Sequence, residues 1–329
     1  MRTTLRIHRK ENYDVERFHN KWFSDFVEYL RKDFDIDYVN YPNEQNIHVT
    51  LQSPVKGFDH NPPISDVDMI IENLSNNEYV CISFTEYFNS WIVHYMKSDK
   101  FKGLILTHFN YHNLYYWTKR DNIESNMHLV KPWIFPIYNQ FDVDYYRNLR
   151  DSTEIEEGLF FKGSGSDEKS YRRAVYYLSE DGLINREPVP MDQYLTKMAT
   201  TRLGLSYYQD LDKYYTPFDY PGEFCYRDME YMAVGVPFIR IEYRDSIYNG
   251  LYPNHHYISI PRERAYKAHL ENGDRGVADI LRDKYEEVKD DLVLLNQISH
   301  NQRKWYDDYF RWPRSAELAF QQLNIKDWL

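Results

Sequence analysis

At 329 residues with 42% apolar content, the chain is too long for most single cores and can fill two domains of ordinary size. A formal net charge of −11 with no long Lys/Arg run argues against a protein whose affinity comes chiefly from a polyanionic backbone. Cys81 and Cys225 are the only cysteines, which indicates neither a disulfide framework nor a thiolate zinc site and fits a reducing compartment.

The charged start, MRTTLRIHRKENYDVERFHNKW, lacks the apolar core of a signal peptide, and no apolar run approaches the ~20 residues that cross a bilayer. A soluble, cytoplasmic protein is expected. Apolar positions at helical spacing from Phe18 to Leu30 predict a first amphipathic helix over 13–33. Short apolar runs follow at 47–51, 69–71, 80–84 and 103–107, with a helical stretch over 87–96. Strands that alternate with helices imply a parallel sheet.

From about 131 to 158 the pattern weakens into two prolines and a charged tail, which reads as an inter-domain connection. A second α/β unit then begins: a strand over 159–162, the turn GSGSDEK, a helix over 170–178 and a strand over 203–207. The segment PGEFCYRDMEYMAVGVPFIR follows, then a strand over 257–260, a helical tract from 277 to about 310, and a terminal helix over 315–323. The expected fold class is α/β, with domains over 1–140 and 141–310 and a closing helix over 311–329.

The segment from Pro221 to Arg240 is the most informative. Met229, Met232, Ala233 and Val234 would hold a helix against a core, Gly235 and Pro237 would end it, and Phe238 to Ile241 read as the next strand. Arg227 and Glu230, one turn apart, share a face near the helix N-terminus. There an anion is favoured, Arg227 can fork onto phosphate oxygens, and Glu230 can accept hydrogen bonds from a sugar diol. Gly222 would let the backbone approach a ligand closely. The bland alternative is a solvated ion pair worth a few tenths of a kcal/mol.

A second constellation is Phe160-Phe161-Lys162-Gly163-Ser164-Gly165-Ser166, followed by Lys169, Arg172 and Arg173. A glycine-containing strand-to-helix turn beside four cations can present N–H groups and positive charge to a diphosphate; it also reads as an ordinary loop before a solvated helix. It lacks the G-K-[ST] of a P-loop and the spacing of the dinucleotide fingerprint. The Asp-x-Asp pairs at Asp35/Asp37, Asp66/Asp68, Asp142/Asp144 and Asp210/Asp212 match the roughly three expected by chance in a chain so rich in Asp, and no histidine shows metal-ligand spacing. No metal and no resident cofactor are expected. A general base for an acceptor hydroxyl would come from the first domain, where Glu86 and His108 follow two of the strands; each also reads as a cap or loop residue. High aromatic content, 17% with 32 Tyr, suits ring-lined clefts that stack on sugars or bases and reads equally as a compositional habit.

The segments FFKGSGSDEKSYRRAVYYL and PGEFCYRDMEYMAVGVPFIR, in this order, resemble the donor-binding half of GT-B glycosyltransferases. The exostosin and protein O-glucosyltransferase (capsule-associated) families are the most similar in feel, with an echo of phage DNA β-glucosyltransferase. The tail NQRKWYDDYFRWPRSAELAFQQL is similar to their closing helices, so the likeness covers roughly residues 155 to 323. It implies two Rossmann-like domains facing across a cleft, with a nucleotide-diphosphate sugar as co-substrate. It assigns Arg227 to the diphosphate or base, Glu230 to the ribose, Lys162 with Arg172 or Arg173 to the phosphates, and Gly163, Ser164, Gly222 and Tyr226 to the donor-binding surroundings.

Glu223 and Glu230 have six residues between them, a departure from the E-x7-E of the retaining families that argues against retention. The resulting expectation is a metal-independent, inverting transferase acting on a glycan or other hydroxyl acceptor. The alternatives are a non-catalytic carbohydrate- or nucleotide-binding protein, a DNA-modifying glucosyltransferase using Lys97, Lys100, Lys102, Lys119 and Arg120, and a sugar-nucleotide epimerase, which the missing glycine fingerprint disfavours.

Overall fold

The computed structural model describes residues 4–10, 31, 35–41, 81–83, 94, 96–99, 101, 104–106, 118–132, 142–162, 173–185, 189–207, 226–242, 251–309 and 311. The chain divides into two compact units, one comprising 1–139, 217–222 and 310–329, the other 140–216 and 223–309.

In the first unit, β1 (Thr4–Lys10) pairs in parallel with β2 (Asp35–Tyr41), in register from Thr4 opposite Asp35 to Lys10 opposite Tyr41. A second parallel sheet has the order β3 (Cys81–Ser83), β4 (Leu104–Leu106), β5 (Val130–Pro132), the last entered from a 3-10 helix, Glu124–Leu129. Of the strands expected over 80–84 and 103–107, the described residues 81–83 and 104–106 are in strand. β1, β2 and β5 were not foreseen. The expected helix over 13–33 and strands over 47–51 and 69–71 lie outside the described residues.

The second unit is built on a parallel sheet of sequential order: β6 (Glu156–Phe160), β7 (Thr201–Ser206), β8 (Phe238–Ile241), β9 (Ile258–Ile260). Its helices are α1 (Val143–Ser152), α2 (Arg173–Glu180), α3 (Met191–Thr200), α4 (Tyr226–Val234), α5 (Arg262–Val288) and α6 (Leu292–Tyr309). Every residue of β8 and β9 is buried, as in a sheet covered on both faces. The alternation of side chains along β8 separates the layers. Phe238 stacks on Tyr231 of α4 with centroids 5.3 Å apart, and Arg240, two residues on, bonds Asp228 of α4. Ile239 and Ile241 point to the other face. There α5 packs on β8, β9 and α2, while α4 packs with α1, α3 and α6.

Gly204 in β7 faces α4 as well, and a Cβ there would collide with the Tyr231 ring. Between Glu156 and Leu159 the register of β6 against β7 shifts, with Gly158 at φ +128° in the irregularity.

The segment read as a connection holds α1, capped by Asp142, whose Oδ1 accepts from the Tyr145 N–H at 2.9 Å, so one Asp-x-Asp pair has a local structural use. In place of one tract from 277, the C-terminal helices begin at Arg262, kink at Asn272 and Gly273 (φ 60°), and break before Leu292. The expected terminal helix over 315–323 lies outside the described residues.

Candidate functional site

The parallel strands set the location: in such a sheet, ligands are bound beyond the strand carboxyl ends. Lys162 follows the end of β6, Ser206 closes β7, and Arg240 lies next to the end of β8. α4 enters at these ends and descends along the sheet, so its first turn faces them.

α4 is buried nearly all round, with Met229, Tyr231, Met232, Ala233 and Val234 all fully inaccessible. Its C-terminus is closed as the sequence suggests: Gly235 takes φ +83°, and the N–H groups of Gly235 and Val236 return to the Tyr231 carbonyl at 2.7 and 2.8 Å. Three side chains hold the carbonyls beyond. Arg147 Nε donates to Ala233 O at 2.6 Å, Arg303 Nε to Val234 O at 2.9 Å, and Ser299 Oγ to Gly235 O at 2.7 Å. Two cations at this end also complement the macrodipole.

At the other end, Arg227 is half-buried and does not pair with Glu230. Its guanidinium carbon sits 4.3 Å from the centroid of Phe161, and Nη2 donates to the carbonyl of Lys162. The planar cation is thereby held against the carboxyl end of β6.

Glu230 is only 5% exposed, and its Oε2 accepts the Tyr194 hydroxyl of α3 at 2.6 Å. Burial pushes its carboxyl up to about 7; the Tyr194 hydrogen bond and the Arg227 charge oppose that rise, and Asp228 adds to it. The Tyr194 hydroxyl is itself held well above its ordinary range, first by burial and then by the Glu230 charge, so it stays a donor. The surface ion pair is thus excluded as the reading of these two residues. What takes its place is a guanidinium anchored on a strand end and a buried, proton-poised carboxyl one turn on.

The other sequence-derived candidates divide as follows. Lys162 is present at the end of β6, with Nζ donating to Asn185 O at 2.9 Å. Arg173 opens α2, but its side chain approaches Asp274 beside the kink of α5, Nε to Oδ2 at 3.9 Å. Tyr226 is the first residue of α4. Glu86, His108, Gly163, Ser164, Arg172 and Gly222 lie outside the described residues. Tyr194, Phe161, Asp228 and Arg240 were not foreseen as site residues. Of the cations considered for nucleic acid, Lys97 and Arg120 both pair with Asp121, at 2.9 and 3.1 Å.

Among the described residues no cluster of His, Cys, Asp and Glu could hold a metal ion, and no helix is long and apolar enough to cross a membrane.

Fold and site together define an α/β protein with parallel sheets and a helix that starts at the strand carboxyl ends. Among solved structures, the chain is similar to HepE of Anabaena in complex with UDP, at 10% identity and a TM-score of 0.45 over 98% of this chain and 95% of that one. The same protein in complex with UDP-glucose aligns at 11% identity and a TM-score of 0.44, covering 98% of each chain. No protein-family model and no curated protein matches the chain. Fold likeness at such distance does not carry chemistry, which has to come from the site.

Proposed function

We propose that the chain is a glycosyltransferase that moves a sugar from a nucleotide-diphosphate donor to a hydroxyl acceptor. The observation that supports this is the pairing at α4: Arg227 fixed on Phe161 at the end of β6, with the Glu230 carboxyl one turn away. In this reading Arg227 meets the diphosphate, assisted by Lys162 and the N–H groups of the α4 first turn. Glu230, with Tyr194 on Oε2, accepts the ribose hydroxyls through Oε1. The chemistry is positioning and electrostatic stabilisation of the departing diphosphate, with cations in place of a divalent ion.

The finer parts of the proposal are inversion at the anomeric carbon, a base drawn from Glu86 or His108, and a GT-B type pairing of domains. Arg172 or Arg173 would add to the phosphate contacts, Arg173 after turning from Asp274. A glycan acceptor is favoured over DNA, because Asp121 neutralises two of the cations that a DNA groove would use.

The test is release of nucleoside diphosphate from a panel of UDP-, GDP-, ADP- and CDP-linked sugars in EDTA, with and without mixed glycan acceptors. One donor should turn over in the wild type and not in Arg227→Ala. Turnover of none, or turnover that survives the substitution, would contradict the proposal.

A further inference from the structure

Between Arg227 and Glu230 lies a charged residue that the proposed chemistry does not use. Asp228 is fully buried, and so, at 2% exposed, is its partner Arg240. Ser206 and Arg240 are register partners on β7 and β8, and Asp228 spans both: Oδ1 accepts the Ser206 hydroxyl, and Oδ2 accepts Arg240 Nη1 at 2.7 Å. Arg240 Nη1 also donates to Ser206 Oγ at 3.1 Å, which closes a three-membered clasp.

Such a clasp is a poor way to gain stability, since desolvating two charges offsets most of their attraction and apolar replacements are often as stable. What it supplies is direction. Successive residues of a helix are separated by roughly 100° around the axis, so fixing Asp228 against two strands fixes where Arg227 and Glu230 point. The arginines at the far end of α4 hold its carbonyls, which lie along the axis and constrain its roll far less.

We infer that the Asp228–Arg240–Ser206 clasp is a positioning device that sets the roll of α4, placing Arg227 over Phe161 and Glu230 against Tyr194. Its functional half rests on the donor-site reading proposed above. All three residues are buried, Ser206 and Arg240 at 2% exposed and Asp228 at 0%. They act through Arg227 and Glu230.

The experiment uses the full chain carrying Asp228→Leu with Arg240→Met, which removes both buried charges, and Ser206→Ala as a milder second variant. Two quantities are read besides the melting temperature. One is affinity for whichever of ADP, GDP, UDP or CDP the wild type binds in EDTA. The other is the rise in melting temperature that Glu230→Gln produces at pH 8, a readout of how deeply the Glu230 carboxyl is held.

The double variant should melt within a few degrees of wild type, bind the nucleotide at least tenfold more weakly, and show less than half the Glu230→Gln increment. If it fails to fold, Ser206→Ala should still weaken binding two- to fivefold at an unchanged melting temperature. Wild-type affinity together with the full Glu230→Gln increment, in whichever variant folds, overturns the inference. A wild type that binds none of the nucleotides sinks the donor-site reading instead, and the Glu230→Gln increment then decides the positioning role alone.

Discussion

The hydroxyl of Tyr194 donates to Oε2 of Glu230 at 2.6 Å, joining α3 to α4 at a carboxyl that burial has moved up to about 7. In the unfolded chain this carboxyl titrates near 4.5, so between the two values the folded state binds the proton more tightly. Stability must then fall as pH rises through that window, with the full penalty present above about 7.

Glu230→Gln should therefore stabilise the protein at pH 8, by roughly 3 kcal/mol if the whole shift is expressed, and leave it unchanged at pH 4. The difference between variant and wild-type melting curves across pH checks this. A difference independent of pH would mean that the carboxyl is not held as described.

Tyr194→Phe removes the hydroxyl that opposes the rise of Glu230. The loss should be about 1–3 kcal/mol at pH 8, where the carboxylate is charged, and smaller at pH 5, where it is protonated. Denaturant titrations at the two pH values measure it.

His256 sets the opposite slope. Burial, aided by His255, lowers its imidazole to about 4 from 6.5, and its Nδ1 accepts the Tyr252 N–H at 3.0 Å. Because the unfolded chain takes up the proton first, stability is full above 6.5 and is lost as pH falls toward 4. The slopes of His256 and Glu230 oppose each other between about 4.5 and 6.5, so each is read from its own variant rather than from the wild-type profile. An imidazole NMR titration should place the His256 midpoint well below that of an exposed histidine.

Arg150 Nη1 donates to the carbonyls of Ala199 and Thr201 at 2.9 and 2.8 Å, and Nη2 to Arg202 at 3.3 Å, closing the end of α3. Lysine cannot reproduce that fork. Arg150→Lys should cost about 1–3 kcal/mol by leaving carbonyls unmet, measured by urea unfolding.

Much of the second unit was legible because its punctuation is local. Gly235 and Pro237 mark the end of α4, and the apolar run Phe238 to Ile241 falls on β8 with matching bounds. α1 was missed because its inward contacts are cationic: Arg147 and Arg150 reach carbonyls on α4 and β7, which no apolar periodicity reports. β1 was missed because Arg6 and His8 alternate with Leu5 and Ile7 in a stretch that reads as charged. Arg227 and Glu230 could be singled out from their spacing together with the strand-helix-strand segment around them, since spacing alone reads equally as a solvated ion pair. Tyr194 is one tyrosine among 32, and Arg240 reads as an ordinary strand residue; only the fold brings them to α4.

The most direct measurement is calorimetric titration of the full chain with ADP, GDP, UDP and CDP in EDTA, comparing wild type with Arg227→Ala. One nucleotide should bind the wild type, and the substitution should weaken it at least tenfold, about 1.4 kcal/mol or more. Binding of none of the four, or equal binding by both proteins, would contradict a donor site at Arg227.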